Sequence, residues 1–425
     1  MTALATRPAA AAANLRVNSL ALLGANIATA VLGLGFWAVA ARLYPARELG
    51  VGAALITSSV LLSTLSNLSL GSMYERFLPG AGTHAGALVR RGCAAVVALA
   101  TLLALGLVWL GPRAMFPSAA TAVEFVVGTG FLALFALFDQ LLNGLGVGRW
   151  AAAKNTWHAV AKLVLLIAFS FGARGPVLYL CWVAPAAVSV CWLAGAVRRR
   201  IGSDPRYLRS IALPPLRELA AYFLGSYGIV VINALAPLIV PLVVLGRLGS
   251  AANAYFTVSW SLVTAILVTI TMLGGPYVAE AASHTEQLRT LTIRFVRLVG
   301  AAAVAGSALL LAAPLLLEVV GPQYRAQGTD LLRLAALFIP LAAVGVLYDG
   351  ISRVRRRLRL AIVARIVCTV TILLGALAWT GSGGITAVGW ACAAAEALSA
   401  ALVAVPLLRA LARILNDPVD EGVSP

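Results

Sequence analysis

Runs of apolar residues, each long enough to cross a bilayer, occupy most of this 425-residue chain. They cover 18–41, 49–71, 87–111, 121–144, 154–172 and 176–197, then 216–245, 251–274, 292–317, 329–350, 359–379 and 384–411. A hydrocarbon layer of about 30 Å takes about 20 helical residues at about 1.5 Å each. The expected fold is therefore all-α and integral to the membrane, with about twelve transmembrane helices. Charged residues make up only 11% of the chain, where a soluble domain carries about a quarter.

The longest interruption, 198–215, holds Arg198, Arg199, Arg200, Arg206 and Arg209 and divides the runs into two sets of six. It predicts a cytoplasmic segment 1–17, a six-helix lobe 18–197, a basic cytoplasmic inter-lobe loop 198–215, a second six-helix lobe 216–411 and a cytoplasmic tail 412–425. With the N-terminus inside, 24 of the 32 Lys and Arg residues fall in inner segments and 7 in outer loops. That asymmetry predicts cytoplasmic N- and C-termini and an even helix count. The net charge of +17 then belongs to loops facing an anionic inner leaflet of the cell membrane, and nucleic acid is not an expected partner. Residues 1–13 lack a signal-peptide pattern, so the first run is read as a retained helix.

The halves resemble each other. Asp139 and Asp349 each follow an aromatic residue, lie near the inner end of a run and precede a basic loop. Arg149 and Arg359 fall at the same offset, and Arg47 and Arg247 each precede the second run of a half. Six helices is an even number, so the expected lobes are pseudo-symmetric about an axis along the membrane normal, with a substrate path between them.

Catalytic chemistry has little to work with. Only Lys154 and Lys162 are lysines, and neither stands in GxxxxGK[ST], so no P-loop is present. His84, His158 and His284 form no zinc motif, and the five cysteines all sit in apolar segments without CxxC spacing. No metal and no cofactor is expected beyond coupling to Na⁺ or H⁺, and the chain is not expected to be an enzyme.

Polar groups inside the runs need a reason, because charge at mid-helix costs about 2.5–3.5 kcal/mol. Lys162 reads either as a snorkelling or paired cation, or as a cation facing a cavity that receives an anionic head group. Glu396 and Arg365 lie at matching depths, which suits an ion pair between adjacent helices; the other reading of Glu396 is a coupling carboxylate. Asp139 and Asp349 are expected to pair with nearby basic loops and to hold an inner gate. Arg76 is an interfacial anchor or a bidentate phosphate contact. Asn26, Asn67 and Asn233 are expected to bond to neighbouring helices. Tyr227 and Trp260 either pack or stack against sugar faces.

Five segments carry a family resemblance: ARLYPARELG (41–50), MYERFLP (73–79), NGLGVGRW (143–150), LGRLGSAANAYFTVSW (245–260) and EVVGPQYRAQGTDLLRL (318–334). In this order and spacing the chain resembles the polysaccharide-biosynthesis flippases of the multidrug/oligosaccharidyl-lipid/polysaccharide (MOP) exporter superfamily. The resemblance implies a MATE-like pair of six-helix lobes working by alternating access. It implies a glycan on a polyprenyl diphosphate as substrate, moved from inner to outer leaflet, and polysaccharide polymerase or ligase machinery as partners. Arg76 is the best positional match to the arginines that contact the diphosphate, and Arg16 a weaker one. The membrane-core arginines of lipid II flippases have no clear match in the first or eighth run; Lys162 is the candidate substitute. A cation-coupled multidrug exporter, with Glu124 or Asp139 as its carboxylate, is the alternative on the same fold. A membrane-embedded glycosyl- or acyltransferase is the third reading.

Overall fold

The structure, a computed structural model, describes residues 32–170, 177–208, 216–283 and 285–416, with backbone alone for 208, 216–230, 238, 282 and 285. Among the described residues every regular element is helical. In chain order they are α1 (Leu32–Leu43), α2 (Ala46–Ser66), α3 (Leu70–Phe77), α4 (Ala85–Leu110), α5 (Ala119–Gly144), α6 (Gly148–Phe169) and α7 (Val177–Ser203). After these come α8 (Leu216–Leu248), α9 (Ser250–Met272), α10 (Gly274–Ser283), α11 (Leu288–Val320), α12 (Pro322–Val354), α13 (Arg359–Gly383) and α14 (Thr386–Asn416). Ten of the described helical stretches are long and apolar enough to cross a membrane. The chain is a multi-pass membrane protein on that ground. α6 has the length, at 22 residues, but is not among the ten.

Two compact units emerge: residues up to Tyr44 with Leu62–Tyr227, and Pro45–Leu61 with Gly228 onward. α2 is shared, its first four turns belonging to the second unit and its last residues to the first. The core of the first unit gathers Tyr74, Leu78, Phe138, Leu141, Leu193 and Val197 from α3, α5 and α7 and the turn after α3. In the second unit α12 lies against α9, α11 and α14, and α13 pairs with α14. Prolines 185, 237, 241, 314, 340 and 406 stand inside helices. Neighbouring helices satisfy the backbone groups such residues free in membrane proteins.

Two expectations are corrected. The run 49–71 is not one helix: α2 stops at Ser66 and α3 starts at Leu70. Leu68 (φ 48°) and Ser69 (φ 54°) between them are left-handed, a conformation that costs a residue with a Cβ about 1–2 kcal/mol. Asn67 Nδ2 donates to the carbonyl oxygens of Ser63 (2.9 Å) and Ala133 (3.4 Å), and such side-chain bonds compete with the helical ladder. The fifth run, expected over 154–172, begins at Gly148, so Lys154 is not its first residue but lies well inside the helix. An apolar scan stops at the first cation, whereas the backbone continues because that cation finds partners.

Candidate functional site: a buried line of cations in the first unit

Lys154, His158 and Lys162 are spaced four residues apart on α6, which stacks them on one face of the helix. All three are buried, at 5%, 6% and 5% exposure. Burying a cation is costly unless it is met by charge, dipole or aromatic faces.

Each is met differently. Lys154 Nζ donates to the carbonyl oxygen of Phe135 at 2.6 Å, pairs with Asp139 Oδ1 at 3.1 Å and lies 3.3 Å from the centre of the Phe135 ring. Asn155 Nδ2 donates to the same Asp139 oxygen at 3.0 Å. His158 Nε2 contacts the carbonyl oxygen of Trp182 at 2.9 Å, and its ring lies 4.7 Å from Phe135 and 5.7 Å from Trp182. Lys162 Nζ stands 3.6 Å from the Trp182 ring centre and 5.4 Å from that of Phe36. Among the described residues no carboxylate pairs with Lys162.

Aromatic faces therefore alternate with nitrogen cations and the imidazole along α6: Phe135 from α5, Trp182 from α7, Phe36 from α1. A desolvated cation–π contact is worth about 2 kcal/mol, less than the several kcal/mol that taking an ion out of water costs. Lys154 is neutralised by Asp139; Lys162 is not neutralised.

The other expected residues are dispersed. Arg76 is exposed in the last turn of α3, its guanidinium 5.3 Å from the Phe77 ring, while its neighbour Glu75 accepts from Asn143 Nδ2 at 3.0 Å. Asn67 bonds to Ser63 and Ala133 and keeps Oδ1 buried without a partner. Asn233 is exposed, and Trp260 stacks on Phe256 at 5.3 Å and lies 6.4 Å from Phe338. Arg16, Asn26 and the Tyr227 side chain lie outside the described residues.

Asp349 pairs with Arg353 on its own helix at 2.8 Å. The sequence likeness of Asp139 and Asp349 therefore does not extend to their partners, because Ala364 stands where the offset to Lys154 would fall. Among the described residues Glu396 and Arg365 close no direct ion pair: Arg365 is exposed but acts on Glu396 through its charge, and Glu396 Oε1 accepts from Cys368 Sγ at 3.5 Å. Matching depth on adjacent helices does not fix which way two side chains turn.

Sequence reasoning missed Lys154 and His158 as members of the constellation. The signal was the i, i+4, i+8 spacing with Lys162, hidden by treating each cation alone.

No family model matches the sequence, and no curated protein matches it. Solved structures do. The lipid II flippase MurJ in an inward closed conformation aligns with TM-score 0.68 at 10% identity, over 93% of this chain and 90% of that one. An inward-facing multidrug resistance MATE transporter of the MOP superfamily aligns with TM-score 0.65 at 15% identity, over 93% and 96%. A MOP superfamily transporter from Pyrococcus furiosus, described as having a binding pocket of reverse polarity, aligns with TM-score 0.55 at 15% identity, over 94% and 93%. The fold of this chain is that of the MOP-superfamily transporters.

Proposed function

We propose that this protein is a flippase that moves a polyprenyl-diphosphate-linked oligosaccharide from the inner to the outer leaflet of the cell membrane, for surface polysaccharide biosynthesis, by alternating access. One observation carries the reading: Lys162 is buried against Trp182 with no carboxylate among the described residues paired to it, while Asp139 is already occupied by Lys154 and Asn155. A polar interior of that sign suits an anionic head group and disfavours a cationic drug. The likeness to the lipid II flippase fits a lipid-linked substrate.

In this mechanism Arg76, with Arg16, meets the diphosphate at the cytoplasmic mouth by bidentate contact. Lys162 receives it when the helices part. Asn26, Asn67, Tyr227, Asn233 and Trp260 contact the glycan. Asp139 and Asp349 hold the inner gate through Lys154 and Arg353, and Glu396 with Arg365 couples the cycle to Na⁺ or H⁺. The membrane potential assists, since each negative charge moved outward across an inside-negative membrane gains about 2.3 kcal/mol per 100 mV. The polymerase or ligase takes up the product on the far side.

A second reading, a cation-coupled exporter on the same fold, has one observation in its favour: Glu124 Oε2 is buried in the first unit without a partner. The deciding experiment compares lipid extracts of a deletion strain and its parent by mass spectrometry. Accumulation of a polyprenyl-diphosphate glycan, cured by the wild-type gene and by Glu124→Gln but not by Lys162→Met, supports the flippase. An unchanged lipid-glycan pool with new sensitivity to cationic drugs supports the exporter.

A further inference from the structure

Beside Lys162 the first unit builds an aromatic surface that the head-group contact leaves unused. The Trp182 ring, which takes the ammonium at 3.6 Å, has Trp37 of α1 next to it, with 6.2 Å between ring centres and 34° between ring planes. Phe36, fully buried, meets each of the two indoles edge-on at 5.3 Å and 82°. One buried ring in contact with both indoles fixes their tilt. His158 holds the Trp182 backbone as well, through the carbonyl oxygen at 2.9 Å. Trp37 and Trp182 are themselves only half-buried, and among the described residues neither indole N–H has a hydrogen-bond partner. Gly33 stands four residues before Trp37, on the same face of α1, and no described atom lies within 4 Å of where its Cβ would be. Helical side chains lean towards the N-terminus, so the Trp37 indole overhangs the turn that this glycine leaves open.

We propose that Trp37 and Trp182 bind the sugar ring carried directly on the substrate's diphosphate, a subsite that rests on the head-group role proposed for Lys162. A pyranose offers a face of C–H groups that packs on a flat aromatic ring, and a rim of hydroxyls that accept from an indole N–H. Both needs are met here by the same two side chains. The Trp182 ring stands between the ammonium and Trp37, so a phosphate held at Lys162 brings the ring it carries to the indoles. A polyprenyl phosphate without sugar leaves both N–H groups unused. A cationic drug meets the same rings beside a charge that repels it. Trp37 touches the sugar alone in this arrangement, whereas Trp182 also steadies Lys162, which makes Trp37 the residue that separates the two roles.

The test is isothermal titration calorimetry of the purified full-length protein in mild detergent, with farnesyl diphosphate and with its glucose, galactose and N-acetylglucosamine conjugates. Wild type is expected to bind at least one conjugate about fivefold or more tighter than the sugar-free probe. Trp37→Leu is expected to bring that ratio close to one, and Trp37→Phe, which keeps a flat ring, to hold it above one. Lys162→Met is expected to weaken every probe at least tenfold. Unchanged melting midpoints establish that the variants are folded. A wild-type ratio near one for all three conjugates overturns the subsite, needs no variant, and leaves the head-group role of Lys162 standing. A Trp37→Leu protein that keeps the wild-type ratio also overturns the subsite. Farnesyl diphosphate bound by wild type no more tightly than farnesol overturns the head-group role itself, and the subsite with it.

Discussion

The ammonium of Lys162 sits 3.6 Å from the centre of the Trp182 ring, and among the described residues no carboxylate joins it. An aromatic face stabilises a cation without cancelling its charge, so the field of the ammonium stays available to a phosphate. Lys162→Met removes the charge and keeps the volume. It is expected to lower transport of the lipid-linked glycan at least tenfold in a vesicle or cell assay. The melting midpoint should hold or rise, because a desolvated charge has been replaced by an apolar side chain. Full transport by Lys162→Met would remove Lys162 from the head-group site.

Asp139 behaves in the opposite way. It compensates a lysine whose side chain is only 1% exposed, and it is itself 32% exposed. Asp139→Asn leaves Lys154 buried with a neutral partner and should destabilise the first unit by about 2–4 kcal/mol, at the low end for a carboxylate that already sees solvent. Adding Lys154→Met to Asp139→Asn should restore most of the loss. Thermal unfolding of the two single variants and the double variant measures the coupling. A double variant as unstable as Asp139→Asn alone would show that the pair is not the cause.

Most of the fold was legible because hydropathy reports burial in lipid one helix at a time. The helices α4, α5, α13 and α14 match apolar runs that meet Gly, Pro or charge, although α13 and α14 continue past the expected ends at 379 and 411 to Gly383 and Asn416. What depends on side-chain direction was not legible. Two carboxylates at equivalent positions, Asp139 and Asp349, take a partner on the next helix in one case and on the same helix in the other. Glu396 takes its hydrogen bond from Cys368, and no direct ion pair with Arg365 closes among the described residues. The break at Leu68 and Ser69 escaped the scan because Ser66, Asn67, Ser69, Gly71 and Ser72 around it are uncharged and too few to end an apolar run. The i, i+4, i+8 line on α6 was present in the sequence, but only the aromatic rings from α1, α5 and α7 reveal why it can be buried.

Asp204 ties the end of α7 to the turn that follows. Its carboxylate accepts from Arg206 Nε and Nη2 and from the Arg206 backbone N–H, and Arg200 approaches to 3.3 Å. The Arg206 side-chain hydrogen bonds, with the backbone bond next, hold the carboxyl at about 2 against an ordinary value of 3.8. A group depressed in this way stabilises its surroundings above the ordinary carboxylate range and loses that contribution as pH falls towards the folded value. Hydrogen exchange across 200–208, corrected for intrinsic rates, should therefore stay slow from pH 7 to about 4 and quicken as pH falls from there towards 2. Asp204→Asn should exchange fast across the whole range. Equal protection of variant and wild type at pH 7 counts against the clip.

Gly50 marks the tightest backbone approach in the second unit. A Cβ built there would lie 1.7 Å from the carbonyl oxygen of Ser250, and Asn253 Nδ2 donates to the Gly50 carbonyl at 2.9 Å. The obstacle is main chain at the start of α9, which cannot step aside by changing a rotamer. Gly50→Ala should cost about 1–3 kcal/mol, the range for overpacking, through displacement of one helix start and loss of the Asn253 bond. Gly106, in the interior of α4, has nothing within 4 Å of its own Cβ position. Gly106→Ala should be neutral or stabilise by about 0.5–1 kcal/mol from helix propensity. Melting midpoints of the two variants side by side separate a packing glycine from a merely permitted one. A Gly50→Ala protein as stable as Gly106→Ala would show that α2 and α9 can separate at no cost.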